Sequence, residues 1–168
     1  MNAYMGKILN IDLSSGQAHN ESIPDTVYEQ FLSGLGLGVH YLYKHLPAGC
    51  DPLGADNILG FVSGLLTGTG SLMTGRWLVV CKSPLTGGWG DANCGGTFSP
   101  AIKRCGFDAI FIHGKADHPV YVLVENEKVS IRDACHLWGK DAIESEEILL
   151  AEHNQKGKKV AVAVIGQA

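Results

Sequence analysis

Glycine is concentrated around one arginine in the stretch TGRWLVVCKSPLTGGWGDANCGGTFSPAIKRCGFDAIFIHGK, which runs from Thr74 to Lys115. Glycine loses more freedom on folding than any other residue, so such a cluster implies unusual dihedral angles or the close approach of a bulky group. Consecutive backbone N–H groups in turns and at a helix start bind anions, and Arg76 adds a planar fork suited to phosphate or a polar ring edge. The stretch therefore predicts a ligand site around Arg76 and the loop from Asp91 to Gly96, with the glycine turns from Gly75 to Gly96 on one exposed rim.

Side chains that commonly bind metals are scattered along the chain. The five cysteines are odd in number, widely spaced and without a C-x-x-C pair, which indicates neither a disulfide framework nor a zinc site. His113, His118 and His136 have no further ligand at metal-binding spacing. We interpret them as ordinary polar histidines.

The sequence SGLGLG, residues 33–38, resembles a dinucleotide-binding fingerprint. That motif requires a strand before the glycines and a helix after them. Here a helix is predicted to begin at Asp25, to be interrupted at Gly34, Gly36 and Gly38, and to continue to Pro47. The preferred interpretation is a break between two helical pieces, with the nucleotide site as the alternative.

Composition restricts the class of protein. With 168 residues, 45% hydrophobic and 18% charged, the chain is typical of one globular domain. The net charge of −4 and the absence of a long Lys or Arg run argue against nucleic acid as a partner. The opening MNAYMGKILNIDLSS predicts no secretory leader, and Asn57–Gly75 is too interrupted for a membrane helix, so a cytoplasmic location away from membranes is expected.

Strands outnumber helices and do not alternate regularly with them, which favours an α+β domain. Alternating apolar residues after Lys7 and the turn at Ser14–Gly16 predict a hairpin, and so does the segment from Val120 to Arg132. Short helices are predicted from Pro100 to Gly106 and near Asp141–Glu152. Further strands are predicted at Ile58–Val62, Trp77–Cys81, Ala109–His113 and Val160–Ile165.

Several of these motifs occur together in one known family. The segments GLLTGTG from Gly64, GRWLVVCKSPLTGG from Gly75, NCGG from Asn93 and CGFDAIFIHGKA from Cys105 resemble the N-terminal domain of the tungsten-containing aldehyde ferredoxin oxidoreductase family. The likeness continues through GKILNIDLSSG, VSIRDACHLWGK and the terminal VIGQA, so that it covers essentially the whole chain.

The resemblance implies that residues 1–168 form a domain of two β-sheets on which a tungsten bis-pyranopterin cofactor lies. It also implies that the tungsten is held by pterin sulfur atoms, so that the protein has to bind two flat ring systems and their phosphates. By motif, Arg76 corresponds to an arginine between a pterin and an iron–sulfur cluster. Asn93 corresponds to a residue whose carbonyl reaches a magnesium ion that bridges the pterin phosphates, with Cys94, Gly95 and Gly96 in or beside the same loop.

The reaction implied by the resemblance is the oxidation of an aldehyde and water to a carboxylic acid, with two electrons passing through a four-iron four-sulfur cluster to ferredoxin. Family members continue beyond the position of Ala168 into domains that bind the cluster and substrate. We therefore expect a truncated chain that is inactive alone and has those remaining domains as partners; the resemblance leaves a homodimer open.

Two other functions stay open at this point. A tungsten subunit of a related reductase, such as the benzoyl-CoA reductase type, shares this domain, although KSPLTGG and NCGG favour the aldehyde oxidoreductases. The other alternative is a non-catalytic module that binds pterin without redox chemistry.

Overall fold

The computed structural model describes residues 3–154 and 160–166. These residues divide into two compact units, with the division after Ala116. The first unit contains a six-stranded sheet and three helices, and the second contains a two-stranded sheet, a 3-10 helix and one α-helix. Strands and helices are mixed without regular alternation, so the predicted α+β class with two sheets is confirmed.

The six-stranded sheet has the order β2-β1-β6-β3-β4-β5. Strands β1 and β6 are parallel, and every other neighbouring pair is antiparallel. The last strand, β5, therefore forms one edge of the sheet. The strands are β1 Lys7–Asp12, β2 Gln17–Ser22, β3 Leu59–Ser63, β4 Trp77–Lys82, β5 Trp89–Cys94 and β6 Ala109–His113.

Helices α1 (Asp25–Phe31) and α2 (Leu35–His45) follow the first hairpin. The predicted break between two helical pieces is confirmed at Gly34, which has φ +60°, but the interruption predicted at Gly36 and Gly38 is wrong because both lie inside α2. A Cβ on Gly36 would lie 1.8 Å from the carbonyl oxygen of Phe31, so glycine permits this tight helix entry. Since a helix precedes the glycines, the dinucleotide interpretation lacks its structural context.

The core of the first unit lies between α2 and the inner strands. Ile8, Leu37 and Phe111 are fully buried, and the ring of Tyr41 stacks on that of Phe111 with centroids 3.7 Å apart. Apolar burial of this kind is the main favourable contribution to folding. Val62 of β3 and Val80 of β4 belong to the same core, so this packing also fixes the strands that lead to the candidate site.

A buried ion pair joins Lys103 of helix α3 (Phe98–Arg104) to Asp108, the residue that precedes β6. The Asp108 carboxylate accepts hydrogen bonds from the Lys103 ammonium, the Tyr28 hydroxyl and the Gly6 amide. Burial, followed by the hydrogen bond to Asp108, raises the pKa of Tyr28 far above its usual value. Because removal of one partner would leave a buried charge uncompensated, this contact holds α3 firmly in place.

The second unit begins with strands β7 (Val120–Glu125) and β8 (Lys128–Asp133), which pair antiparallel as predicted. Asn126 and Glu127 both have positive φ, which is characteristic of the tight turn of a two-residue hairpin. A 3-10 helix (Cys135–Leu137) and α4 (Ala142–Glu152) follow. The side chain of Asp141 caps α4 by accepting from the Glu144 amide at 2.8 Å.

Two sequence expectations about strands differ from the structure. The sequence predicts a loop at Asp91–Gly96, because Gly90 and the polar residues after it resemble a turn, yet Trp89–Cys94 form β5, which pairs along its whole length with β4. The strand predicted at Val160–Ile165 is wrong, since the described residues 160–166 form no strand. Alternating valines favour extended backbone, but a strand also requires a hydrogen-bonded neighbour. Among the residues described, no helix is long and apolar enough to cross a membrane.

Candidate cofactor-binding site

The predicted ligand residues meet at one end of the β4–β5 hairpin. The strand register places Trp77 opposite Cys94 and Leu78 opposite Asn93. Arg76 directly precedes β4, and Gly95 and Gly96 directly follow β5, so both chain segments leave the sheet side by side. We call this region the Arg76 end; it comprises Gly75, Arg76 and residues 93–96.

All the residues predicted at the site are accessible. Arg76 and the four residues from Asn93 to Gly96 are exposed. Within the part of the chain that the structure describes, the Arg76 guanidinium takes part in no ion pair. A planar cation with five N–H donors is therefore available to an anionic or polar ligand.

The backbone on the other side of the Arg76 end is held by a tryptophan. The indole Nε1 of Trp77 donates a hydrogen bond to the Gly95 carbonyl oxygen at 3.1 Å. The Trp77 ring is buried and packs against Phe98, with ring centroids 4.7 Å apart. The first helical residue of α3 thus helps to fix the loop that precedes it.

The two glycines after β5 leave open space above the backbone. A Cβ built on Gly95 or on Gly96 would meet nothing within 4 Å, and Gly96 has φ +95°. Because β5 is an edge strand, alternate backbone N–H and C=O groups also point away from the sheet. A flat ligand could contact this backbone directly while its charged groups reach Arg76, so the residues present suit a group that combines planar rings with phosphates.

The surroundings of Asn93 and Cys94 differ from those of a metal site built from His, Cys, Asp or Glu side chains. The Cys94 thiol lies 3.4 Å from the Gly95 carbonyl oxygen, to which it donates a weak hydrogen bond. In the described ranges, no group of three His, Cys, Asp or Glu side chains is arranged to hold a metal ion. The available donors near Asn93 are backbone and amide oxygens, which are ligands that magnesium accepts. The assignment of Asn93 to magnesium stays a prediction.

Gly87, Gly88 and Gly90 lie toward the opposite end of the hairpin, so the prediction of one continuous rim is wrong. Residues 83–88, here called the turn end, form a closed turn in which the Ser83 amide donates to the Gly88 carbonyl at 2.8 Å. The Gly87 amide donates in turn to the Ser83 carbonyl at 2.8 Å. Six strand residues, about 20 Å, separate the two ends. The cause is the pairing of β5 with β4, which the sequence does not predict.

Sequence reasoning also missed a set of buried hydroxyl groups beneath the Arg76 end. Ser63, Thr67 and Ser99 are each at most 2% exposed. They lie at the end of β3, in the turn after it, and in the first turn of α3. Serine and threonine in glycine-rich sequence are typical of exposed turns, so nothing in their pattern indicated burial.

Comparison with known proteins agrees with the predicted family and fold. The family described as "Aldehyde ferredoxin oxidoreductase, N-terminal domain" matches residues 8–168. A tungsten-containing aldehyde ferredoxin oxidoreductase of Pyrococcus horikoshii is 42% identical over 168 residues, all of this chain and 27% of that protein. The "Aliphatic sulfonate oxidoreductase, WOR-like subunit" of Pyrococcus furiosus is 36% identical over 162 residues, or 95% of this chain and 26% of that protein.

A solved structure shares the fold. The active site complex BamBC of benzoyl coenzyme A reductase, in complex with 1,5-dienoyl-CoA, superposes with a TM-score of 0.90. It is 36% identical in sequence, and the match covers 92% of this chain and 24% of that one.

The family match places this fold among the domains of oxidoreductases. The chain belongs to the aldehyde ferredoxin oxidoreductase family, in which it corresponds to the N-terminal domain. It spans about a quarter of the length of the curated relatives that it matches.

Proposed function

We propose that residues 1–168 are the tungstopterin-binding N-terminal part of a longer aldehyde:ferredoxin oxidoreductase. The observation that carries the proposal is the convergence of an exposed arginine and open glycine backbone at the Arg76 end. The 42% identity to tungsten-containing aldehyde ferredoxin oxidoreductases supports tungsten bis-pyranopterin as the ligand. When bound, that cofactor supplies the two-electron chemistry of aldehyde oxidation, and the protein binds and orients it.

Each residue of the Arg76 end has a separate role in this proposal. Arg76 donates charge-assisted hydrogen bonds to the cofactor, which are about twice as strong as neutral ones. The backbone carbonyl of Asn93 would bind a magnesium ion that accompanies the cofactor phosphates. Gly95 and Gly96 give the ring system direct access to the backbone, with Cys94 beside them.

The complete enzyme would have further parts. We propose that its other domains hold a four-iron four-sulfur cluster and the substrate site, that ferredoxin accepts the two electrons, and that the enzyme is cytoplasmic. Under this proposal the chain alone does not turn over aldehyde.

The experiment compares Arg76→Ala with Arg104→Ala in the full-length enzyme. Arg104 is an exposed arginine on α3 outside the Arg76 end, so it controls for loss of surface charge. We expect Arg76→Ala to lower tungsten and pterin content at least tenfold, since one strong charged contact contributes about 1.5–3 kcal/mol. Viologen-linked aldehyde oxidation should fall in parallel. Full tungsten content in Arg76→Ala would refute the assignment of the cofactor to this site.

A second candidate is a tungsten subunit of the benzoyl-CoA reductase type. The TM-score of 0.90 to the BamBC complex is the observation that favours it. Assays of the full-length protein with an aldehyde and with benzoyl-CoA would separate the two reactions. A protein that binds pterin and performs neither would be the non-catalytic module.

A further inference from the structure

Three buried hydroxyl groups lie directly beneath the Arg76 end. Ser63 and Ser99 are completely buried and Thr67 is 2% exposed, although each carries a polar oxygen. Buried polar atoms are nearly always hydrogen-bonded, and leaving one unpaired costs free energy. We call Ser63, Thr67 and Ser99 the hydroxyl cluster.

Two of the three hydroxyl groups, those of Thr67 and Ser99, contact the backbone of residues 74–76. Thr67 Oγ1 donates to the Thr74 carbonyl at 2.6 Å. Ser99 Oγ lies 3.3 Å from the Arg76 carbonyl and 3.2 Å from Thr67 Oγ1, and Ser63 Oγ donates to the Ser99 carbonyl at 3.3 Å. Thr67 Oγ1 can donate to Thr74 and accept from Ser99 at the same time, and Ser99 connects Thr67 to Ser63, so the three residues form one network.

Gly64 also supports the backbone of residue 76. Its amide donates to the Arg76 carbonyl at 3.0 Å. A Cβ at this position would lie 3.0 Å from the same carbonyl oxygen and 3.3 Å from Thr67 Oγ1. The close approach of the turn to residue 76 is therefore suited to glycine.

We infer that the hydroxyl cluster positions the Arg76 guanidinium for the cofactor. The inference rests on the proposed function of the Arg76 end. The guanidinium is exposed and forms no ion pair among the described residues, so the position of the side chain depends on the backbone of residue 76 that carries it. A rigid backbone lowers the conformational entropy that the arginine loses when it binds a ligand.

The same cluster links the two halves of the site. Ser99 follows Gly96 by three residues and sits in the first turn of α3. Its hydroxyl reaches the Arg76 carbonyl, so the helix that follows the Asn93–Gly96 loop is tied to the strand that follows Arg76. The hydroxyl cluster is thus a positioning element that sets the spacing between the arginine and the glycine loop.

The test uses the full-length enzyme and three variants. Thr67→Val has nearly the same shape but no hydroxyl, whereas Thr67→Ser keeps the hydroxyl. Thr69→Val is the matched control, because the Thr69 hydroxyl also donates to a backbone carbonyl in this turn, that of Leu66 at 2.7 Å, but is exposed and outside the hydroxyl cluster. The measurements are retained tungsten and pterin after gel filtration, and peptide-resolved amide hydrogen exchange across residues 74–77.

We expect Thr67→Val to retain about fivefold less cofactor than the parent enzyme, as the loss of one neutral hydrogen bond implies. Exchange across residues 74–77 should be faster in the same variant. Thr67→Ser and Thr69→Val should match the parent enzyme in both measurements. If Thr67→Val fails to fold, Ser99→Ala provides the same comparison, because it removes the other hydroxyl that reaches this backbone.

A double variant separates positioning of Arg76 from general loss of structure. Thr67→Val/Arg76→Ala should retain no less cofactor than Arg76→Ala alone, since the cluster acts through the arginine. If the cofactor losses of Thr67→Val and Arg76→Ala multiply in the double variant, the inference is overturned and the proposed function stays intact. Unchanged amide hydrogen exchange across residues 74–77 in Thr67→Val would have the same consequence. Full cofactor retention in Arg76→Ala itself would overturn the proposed function and this inference with it.

Discussion

Each end of the β4–β5 hairpin carries a pair of glycines. Gly95 and Gly96 follow β5 at the Arg76 end, and Gly87 and Gly88 precede β5 at the turn end. Both pairs are exposed, and each contains one residue with positive φ, +95° at Gly96 and +70° at Gly87. The backbone at the turn end is hydrogen-bonded within the turn itself. The Arg76 end has an arginine without an ion pair in the described chain. Similar glycine content thus accompanies a closed turn in one place and an open surface in the other.

The surroundings of the two ends also differ. The turn end borders a mainly apolar groove of about 520 Å³, whose lining includes Leu42, Leu46 and Trp89. The Arg76 end rests on the hydroxyl cluster, which holds its backbone from below. Glycine content alone therefore does not identify a ligand site; the supporting residues under the backbone distinguish the two ends.

The largest expected difference is in cofactor content. In the full-length enzyme, Gly95→Val should lower tungsten and pterin at least tenfold, because the side chain occupies space that a ring system would use. Gly88→Val is the matched control: neither glycine has positive φ, and a Cβ at Gly88 would meet nothing closer than the Thr86 hydroxyl at 3.8 Å. Elemental analysis measures the outcome. Equal tungsten content in both variants would remove the functional distinction between the ends.

A smaller difference is expected in the free energy of unfolding when Trp77 and Trp89, the two tryptophans of the β4–β5 hairpin, are changed. Trp77→Phe should destabilise this chain by about 1–2 kcal/mol, since a buried indole loses its hydrogen bond to Gly95 and leaves a small cavity. Trp89→Phe should cost less than about 0.5 kcal/mol, because Trp89 is 39% exposed and its hydrogen-bond partner, Asp91, is at the surface. Urea titration of both variants tests this, and the reverse order would show that the turn end is the better supported.

The smallest expected difference is in thermal stability, between variants of Gly96 and Gly87, the glycine with positive φ at each end. Gly96→Ala and Gly87→Ala should each destabilise this chain by about 1 kcal/mol, because an L-residue is strained in the left-handed region and a Cβ meets no neighbour at either site. Thermal unfolding should give similar midpoints for the two variants. A much larger loss at Gly96 would mean that its conformation serves folding, which would weaken its assignment to the ligand.

Local pattern predicted many of the elements correctly. The alternation in Val120–Val124 and Val129–Ile131 located the second-unit hairpin, and Gly106 with φ +88° ends α3 as predicted. Strand β5 was missed because its residues are polar and glycine-rich, and an edge strand with exposed side chains lacks the apolar alternation that marks most strands. The prediction of a strand at Val160–Ile165 is wrong although its apolar residues alternate, because the segment has no pairing partner among the described strands.

For the candidate site, the sequence by itself determined the family and the residue types, because motifs such as GRWLVVCKSPLTGG and NCGG are local and specific. Tertiary structure decided which of those residues are neighbours. Arg76 and Gly95 are 19 positions apart in the chain, and the β4–β5 register brings them together while it places Gly87 at the far end. The hydroxyl cluster likewise exists because β3, the turn after it and α3 pack against one another, and such contacts between distant segments leave no periodic signal in the sequence.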